Sequence, residues 1–119
     1  MKELKEPEDM PCGLDVGYDI CETQSEIFQL AMDMNLDDDD FIKKYMNSDF
    51  CKREMDALYS WFHLADPKDS MDYILREIKP KKNNLHYDPD AIEWIGWMYK
   101  SLQLRFELSS REIYTRLPL

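Results

Sequence analysis

Asp88-Pro89-Asp90-Ala91-Ile92-Glu93-Trp94-Ile95-Gly96-Trp97-Met98-Tyr99-Lys100-Ser101-Leu102-Gln103-Leu104-Arg105-Phe106 is the stretch on which the fold turns. Asp88 offers an oxygen to a free backbone N–H, and Pro89, which has no N–H, suits the first helical position, so a long helix starts here. At about 100° per residue, Ala91, Ile92, Ile95, Met98, Tyr99, Leu102 and Phe106 share one face, the stripe expected to meet a core. Trp97, Leu104 and Leu108 fall opposite, with Trp94 at the border. A helix that is apolar on two sides is either the centre of a small bundle or keeps one side for a partner. Trp94, Trp97, Leu104, Arg105 and Leu108 are therefore the candidate partner-binding residues, because Trp and Arg are enriched in binding hot spots.

Beyond this helix, Ser109-Ser110-Arg111-Glu112 fits the capping box S-x-x-E and opens a last helix to about Arg116. Two helices across a short joint resemble the opening of a helix-turn-helix, but no third helix follows to read a groove. Upstream, Asp66-Pro67 repeats the Asp-Pro start, with Met71, Ile74, Leu75 and Ile78 as its buried stripe. Ser48 is expected to cap a helix in which Cys51, Met55, Leu58 and Phe62 recur at core spacing through about Leu64. Phe41, Ile42, Tyr45 and Met46 mark a shorter helix from Asp39 to Asn47. Ile20, Ile27, Leu30, Ala31 and Met34 mark another from Tyr18, with Gln24, Glu26 and Asp33 largely off its apolar face.

Asp33-Met34-Asn35-Leu36-Asp37-Asp38-Asp39 begins like a calcium loop and then departs from one. The sixth loop position needs Gly and is Asp38, and the twelfth needs Glu and is Lys44. A helix cap at Asp37 or Asp38 accounts for the run instead. His63 and His86 lack the companions of a metal site, and Cys51, inside an apolar stripe, reads as a small hydrophobe rather than a nucleophile. No catalytic, metal or cofactor constellation is expected.

At 119 residues the chain fits one domain. Few β-branched residues and few glycines favour helices over strands, so the fold class is all-α: a compact bundle of five to six helices. Residues 1–17, broken by Pro7, Pro11, Gly13 and Gly17, are expected to form a flexible acidic arm before a single helical domain, 18–119. Three cysteines without C-x-x-C spacing, no apolar leader and no membrane-length apolar run fit a reduced, cytoplasmic protein. The net charge of −10 is uneven. Residues 1–40 hold 13 acidic and 2 basic side chains, net −11, and residues 41–119 hold 12 and 13, net +1. Such a surface repels phosphate backbones and speeds encounter with basic proteins.

Phe41-Ile42-Lys43-Lys44-Tyr45-Met46-Asn47-Ser48-Asp49-Phe50, Ala91-Ile92-Glu93-Trp94-Ile95-Gly96-Trp97-Met98-Tyr99 and Leu108-Ser109-Ser110-Arg111-Glu112-Ile113-Tyr114 together resemble a group of small, acidic, uncharacterised proteins of gut Firmicutes. That group looks like the antitoxin partners of toxin–antitoxin gene pairs. The resemblance implies a bacterial, non-enzymatic protein-binding module that neutralises a basic toxin enzyme. The alternative is a DNA-binding transcriptional regulator whose helix-turn-helix is completed by dimerisation.

Overall fold

Asp37, Asp66, Asp88 and Ser109 each turn a side-chain oxygen onto a backbone N–H two or three residues on, and each begins a helix. The computed structural model describes residues 11–119, with side chains from residue 17 onward. Its helices are α1 (Pro11–Asp33), α2 (Asp38–Met46), α3 (Pro67–Glu77), α4 (Pro89–Phe106) and α5 (Ser110–Arg116). A wide π-type turn occupies Cys51–Met55 and a 3-10 turn Trp61–His63. No strand occurs among the described residues, and one antiparallel bridge pairs Leu36 with Lys82. The fold is the all-α bundle expected from composition.

Helix α1 starts earlier than its apolar pattern suggests. Pro11 takes the first helical position, where a missing N–H costs nothing, and Gly13 and Gly17 are carried inside the helix. Each glycine costs about 1 kcal/mol against alanine there, a penalty that packing further along offsets. The expected arm thus loses residues 11–17 to helix, and its first ten residues lie outside the described ones.

The expected helix from Ser48 to Leu64 does not form as one piece. Ser48 Oγ does accept from the Cys51 N–H at 3.0 Å, and Glu77 of α3 accepts from the N–H groups of Asp49 and Phe50. The turn closes with the Asp56 N–H on the Cys51 carbonyl at 2.8 Å. There the chain leaves the helix, because the Met55 carbonyl faces Lys100 Nζ at 3.4 Å and the Asp56 carboxylate is claimed by α4 and α5. Cys51 and Met55 reach the core, Phe62 packs against it, and Leu58 is left in water, 86% exposed.

Buried side chains from α1, α2, the wide turn, α3, α4 and α5 form one core, with Ile27, Phe28, Phe41, Tyr45, Ile74, Ile92 and Tyr99 among them. Phe28 meets Phe41 and Tyr45 edge-on at 6.2 and 5.5 Å between centroids. Offset and edge-on aromatic pairs add to the stabilisation from buried area. Phe106, expected on the core stripe, is 60% exposed, since the last turn of α4 directs Gln103 inward to Asp56 instead.

Helices α1 and α4 make the closest crossing. Gly96 lies so near α1 that a Cβ on it would stand 2.7 Å from the Ser25 Cα. Close approach brings the polar side chains of α1 onto the α4 backbone. Gln24 Nε2 donates to the Gly96 carbonyl at 3.0 Å, and Ser25 Oγ donates to the Glu93 carbonyl at 3.0 Å. Gln24, expected off the apolar face, is wholly buried, and its Oε1 accepts from the Tyr45 hydroxyl at 3.2 Å. Both polar atoms of its amide have a partner, which is the condition for burying it.

The four aspartates at 37–40 serve the segment 81–87. Asp37 accepts from Asn83 Nδ2 at 3.0 Å, Asp38 from the Tyr87 N–H at 2.7 Å, Asp39 from the Tyr87 hydroxyl and Asp40 from the Lys81 N–H. His86 Nδ1 lies 2.8 Å from Asp38 Oδ1. Asp37 also caps α2, as expected. The hydrogen bonds from Asn83 and from the Asp40 N–H hold the Asp37 carboxyl below its ordinary value.

Gly96→Ala is expected to force α1 and α4 apart and to cost about 1–3 kcal/mol, the usual range for an overpacked core. Urea melts of the two proteins measure it, and an unchanged midpoint would show that the crossing relaxes freely.

Candidate functional site

The proposed binding residues divide three ways. Trp94 and Trp97 line an open groove of about 510 Å³ along α4, together with Met98, Ser101, Leu102, Asp90 and Glu93. Trp94 is 63% exposed. Trp97 is half-buried: its indole N–H donates to Glu22 at 2.8 Å and its ring meets Tyr18 edge-on at 5.2 Å. Leu104 is exposed and points toward Gly17 inside α1. Arg105 is exposed, one helical turn past Ser101 of the groove. Leu108 leaves the group, because it packs against the core after Glu107 takes a left-handed conformation at φ 55°. So the structure brings Trp94 and Trp97 together and takes Leu108 away.

A second apolar surface was not anticipated. Leu58, Tyr59, Trp61 and Leu64 project from the loop between the wide turn and α3, around an open groove of about 490 Å³ that also includes Asp19. The signal was present in Ala57-Leu58-Tyr59-Ser60-Trp61-Phe62-His63-Leu64. Those residues are apolar nearly all round, so a helix there would have no solvent face, and the recurrence of Cys51, Met55, Leu58 and Phe62 hid this.

Among the described residues, lysine, serine, cysteine and aspartate side chains gather in one place, and it is closed. Lys100 is 0% exposed, and its Nζ donates to Gln103 Oε1 at 2.8 Å and lies 3.7 Å from Asp56 Oδ1. Asp56 accepts from Gln103 Nε2 and from Ser110 Oγ, both at 2.6 Å, and from the Ser110 N–H at 3.0 Å. The Cys51 thiol donates to Ser110 Oγ at 3.2 Å. Lysine, serine, cysteine and aspartate at these distances would suit acyl transfer if a substrate could reach them. Ser110 and Cys51 are fully buried. Burial pushes the Cys51 thiol up to about 11; Asp56 adds to the rise and Lys100 opposes it. A thiol held there stays protonated at pH 7, and the network joins the wide turn, α4 and α5.

His63 is also structural. Its Nε2–H donates to the Glu54 carbonyl at 3.0 Å, its own carbonyl accepts from Thr23 at 2.7 Å, and burial lowers its pKa, favouring the neutral ring. Among the described residues no three His, Cys, Asp or Glu side chains are grouped to hold a metal, and no helix is long and apolar enough to cross a membrane.

No family model, curated protein or solved structure matches this chain.

Asp56→Ala is expected to cost about 3–5 kcal/mol, because it leaves the Lys100 ammonium buried without its counter-charge. The pair Asp56→Leu with Lys100→Met should cost less than the single change, since replacing a buried ion pair by apolar groups is often neutral. Urea melts of both decide it, and equal losses would mean that the Ser110 contacts matter more than the charge. Cys21 and Cys51, both pushed up to about 11 chiefly by burial, are expected to resist iodoacetamide at pH 8 in the native protein and to react on unfolding in urea. Mass spectrometry of peptides containing each cysteine follows this, and fast native labelling of Cys51 would reopen the question of its chemistry.

Proposed function

We propose that this chain is a protein-binding module that acts by binding rather than by catalysis, in the manner of an antitoxin that neutralises a basic partner, such as a toxin enzyme, in the bacterial cytoplasm. The observation that carries the reading is the Trp94–Trp97 groove of α4. Its lining combines two indoles, Met98 and Leu102 with the carboxylates of Asp90 and Glu93, and Glu22 is hydrogen-bonded to Trp97. An indole face beside carboxylates suits a lysine or arginine side chain, which gains from the ring and from the acid together. Trp97 is held in place by Tyr18 and Glu22 before any partner arrives, so little ordering is required on binding.

Electrostatics supports the same class of partner. The net charge of −10 steers basic proteins toward the surface and opposes approach to a phosphate backbone. Covering a patch of a toxin enzyme with this groove would block substrate from reaching it, which is neutralisation without chemistry.

Trp94→Ala removes an indole that is mostly in water, so its melting temperature is expected to stay within about two degrees of the parent, while partner affinity falls by about 2 kcal/mol, near thirtyfold. The partner is obtained by affinity capture of the full chain from its own host, with identification by mass spectrometry, and affinity is then measured by calorimetry. Unchanged affinity in Trp94→Ala would remove the groove from the interaction. A gel shift on the DNA upstream of the gene, retained at physiological salt, would replace this reading with the DNA-binding regulator.

A further inference from the structure

The segment from Leu58 to Leu64 combines a fixed backbone with unsheltered apolar side chains. Four hydrogen bonds that involve side chains fix it. Ser60 Oγ accepts from the Phe62 N–H at 3.1 Å and donates to Glu54 at 2.9 Å. The His63 carbonyl accepts from Thr23 at 2.7 Å, and the His63 ring donates to the Glu54 carbonyl at 3.0 Å. Phe62 anchors the segment from within, edge-on to Phe50 at 5.0 Å and to Tyr73 at 5.1 Å. Trp61 leans on Phe62 at 5.0 Å and is otherwise in solvent. Leu58 is 86% and Tyr59 90% exposed.

A backbone already fixed leaves less entropy to lose when its side chains are covered, and aromatic ones supply most of the contact energy at protein interfaces. Exposed singly, such residues would be ordinary. Grouped around a groove, they mark a binding surface.

The charge next to this loop selects the occupant. Asp19 lines the groove, and Glu22 and Glu26 follow it at i+3 and i+7 on the same face of α1. Asp66, the cap of α3, is close enough to act on Glu26. Burial first, and then the carboxylates of Glu22 and Asp66, raise the Glu26 carboxyl above its ordinary value. A cation seated there would relieve the repulsion among them. The nearby Arg53 guanidinium is paired with Glu54 at 3.3 Å.

We infer that the Leu58–Leu64 loop and the outer face of α1 form a second docking surface, for a basic amphipathic segment of a protein partner. Its apolar side chains lie on Tyr59 and Trp61, and its lysines or arginines on Asp19 and Glu26. The inference rests on the protein-binding reading above and extends it. Tyr18 packs on Trp97 while the adjacent Asp19 lines the loop groove, so the first half of α1 stands between the two surfaces and one partner can grip both.

The test uses the full chain and a fluorescein-labelled amphipathic peptide of Leu and Lys, with a Ser and Lys peptide of equal charge and a Leu and Glu peptide as controls. Fluorescence anisotropy is expected to show binding of the Leu and Lys peptide, about tenfold weaker binding of the Ser and Lys peptide and none of the Leu and Glu peptide. Trp61→Ser and the pair Asp19→Asn with Glu26→Gln are each expected to weaken binding about tenfold or more, and Trp94→Ala to leave it unchanged. Because Trp61 touches Phe62, the pair Leu58→Ser with Tyr59→Ser, whose side chains are almost wholly in water, repeats the test without touching the fold. Binding that survives both loop variants overturns the inference. Loss of peptide binding in Trp94→Ala alone also overturns it, while leaving the α4 groove and the proposed function standing. Sedimentation showing a dimer that Trp61→Ser dissociates would make the occupant a second copy of the chain, and the basic segment would be withdrawn.

Discussion

The near contact of α1 and α4 at Gly96 is the constraint on which the other elements depend. With only a hydrogen on Gly96, the Ser25 backbone comes close enough for Gln24 and Ser25 to bond the Gly96 and Glu93 carbonyls. Gln24 then passes the constraint on, because its carbonyl oxygen takes the Tyr45 hydroxyl and so sets α2 against the pair. Tyr45 in turn stacks with Phe41 and meets Phe28, and the centre of the core follows from that. The same crossing also reaches both apolar surfaces. It places Tyr18 under Trp97 on one side of α1 and Thr23 under the 3-10 turn on the other.

The starts of α2, α3, α4 and α5 were legible in the sequence because a cap is a local event. Asp37, Asp66, Asp88 and Ser109 bond N–H groups within three residues of themselves, so type and spacing suffice. The stretch after Met55 was illegible for the opposite reason. Its apolar spacing satisfies a helix, and what stops the helix is Lys100 at the Met55 carbonyl and Gln103 and Ser110 on Asp56, groups some fifty residues away. Gln24 hid in the same way, since a polar residue reads as solvent-facing until its distant partners are known. Of the candidate site, Trp94 and Trp97 were legible from angular position on α4, and the aromatic loop was not, since its exposure follows from the helix that fails to form.

The acidic first third also separates into two groups with different work. Asp37 to Asp40 turn inward to a neighbouring stretch of chain, taking backbone N–H groups from residues 81 and 87 and the Asn83 amide. They organise a segment that has no helix of its own, a role that a negative charge performs through hydrogen bonding rather than through its field. Asp19 and Glu26 face outward and keep their field, while Glu22 is partly buried on the Trp97 indole. The charge that would attract a basic protein therefore sits on α1, beside both apolar surfaces, and the densest acidic run in the sequence contributes to the fold instead.

None of the three tryptophans is fully buried: Trp61 and Trp94 are exposed, and Trp97 is half-buried with its N–H on a carboxylate. Indole emission shifts to the red in polar surroundings, so the native protein should already glow at wavelengths usual for an unfolded one. Intrinsic fluorescence is consequently a weak reporter of unfolding for this chain. It is a sensitive reporter of anything that covers α4 or the loop, and a shift to the blue on mixing would register contact at those surfaces without any label.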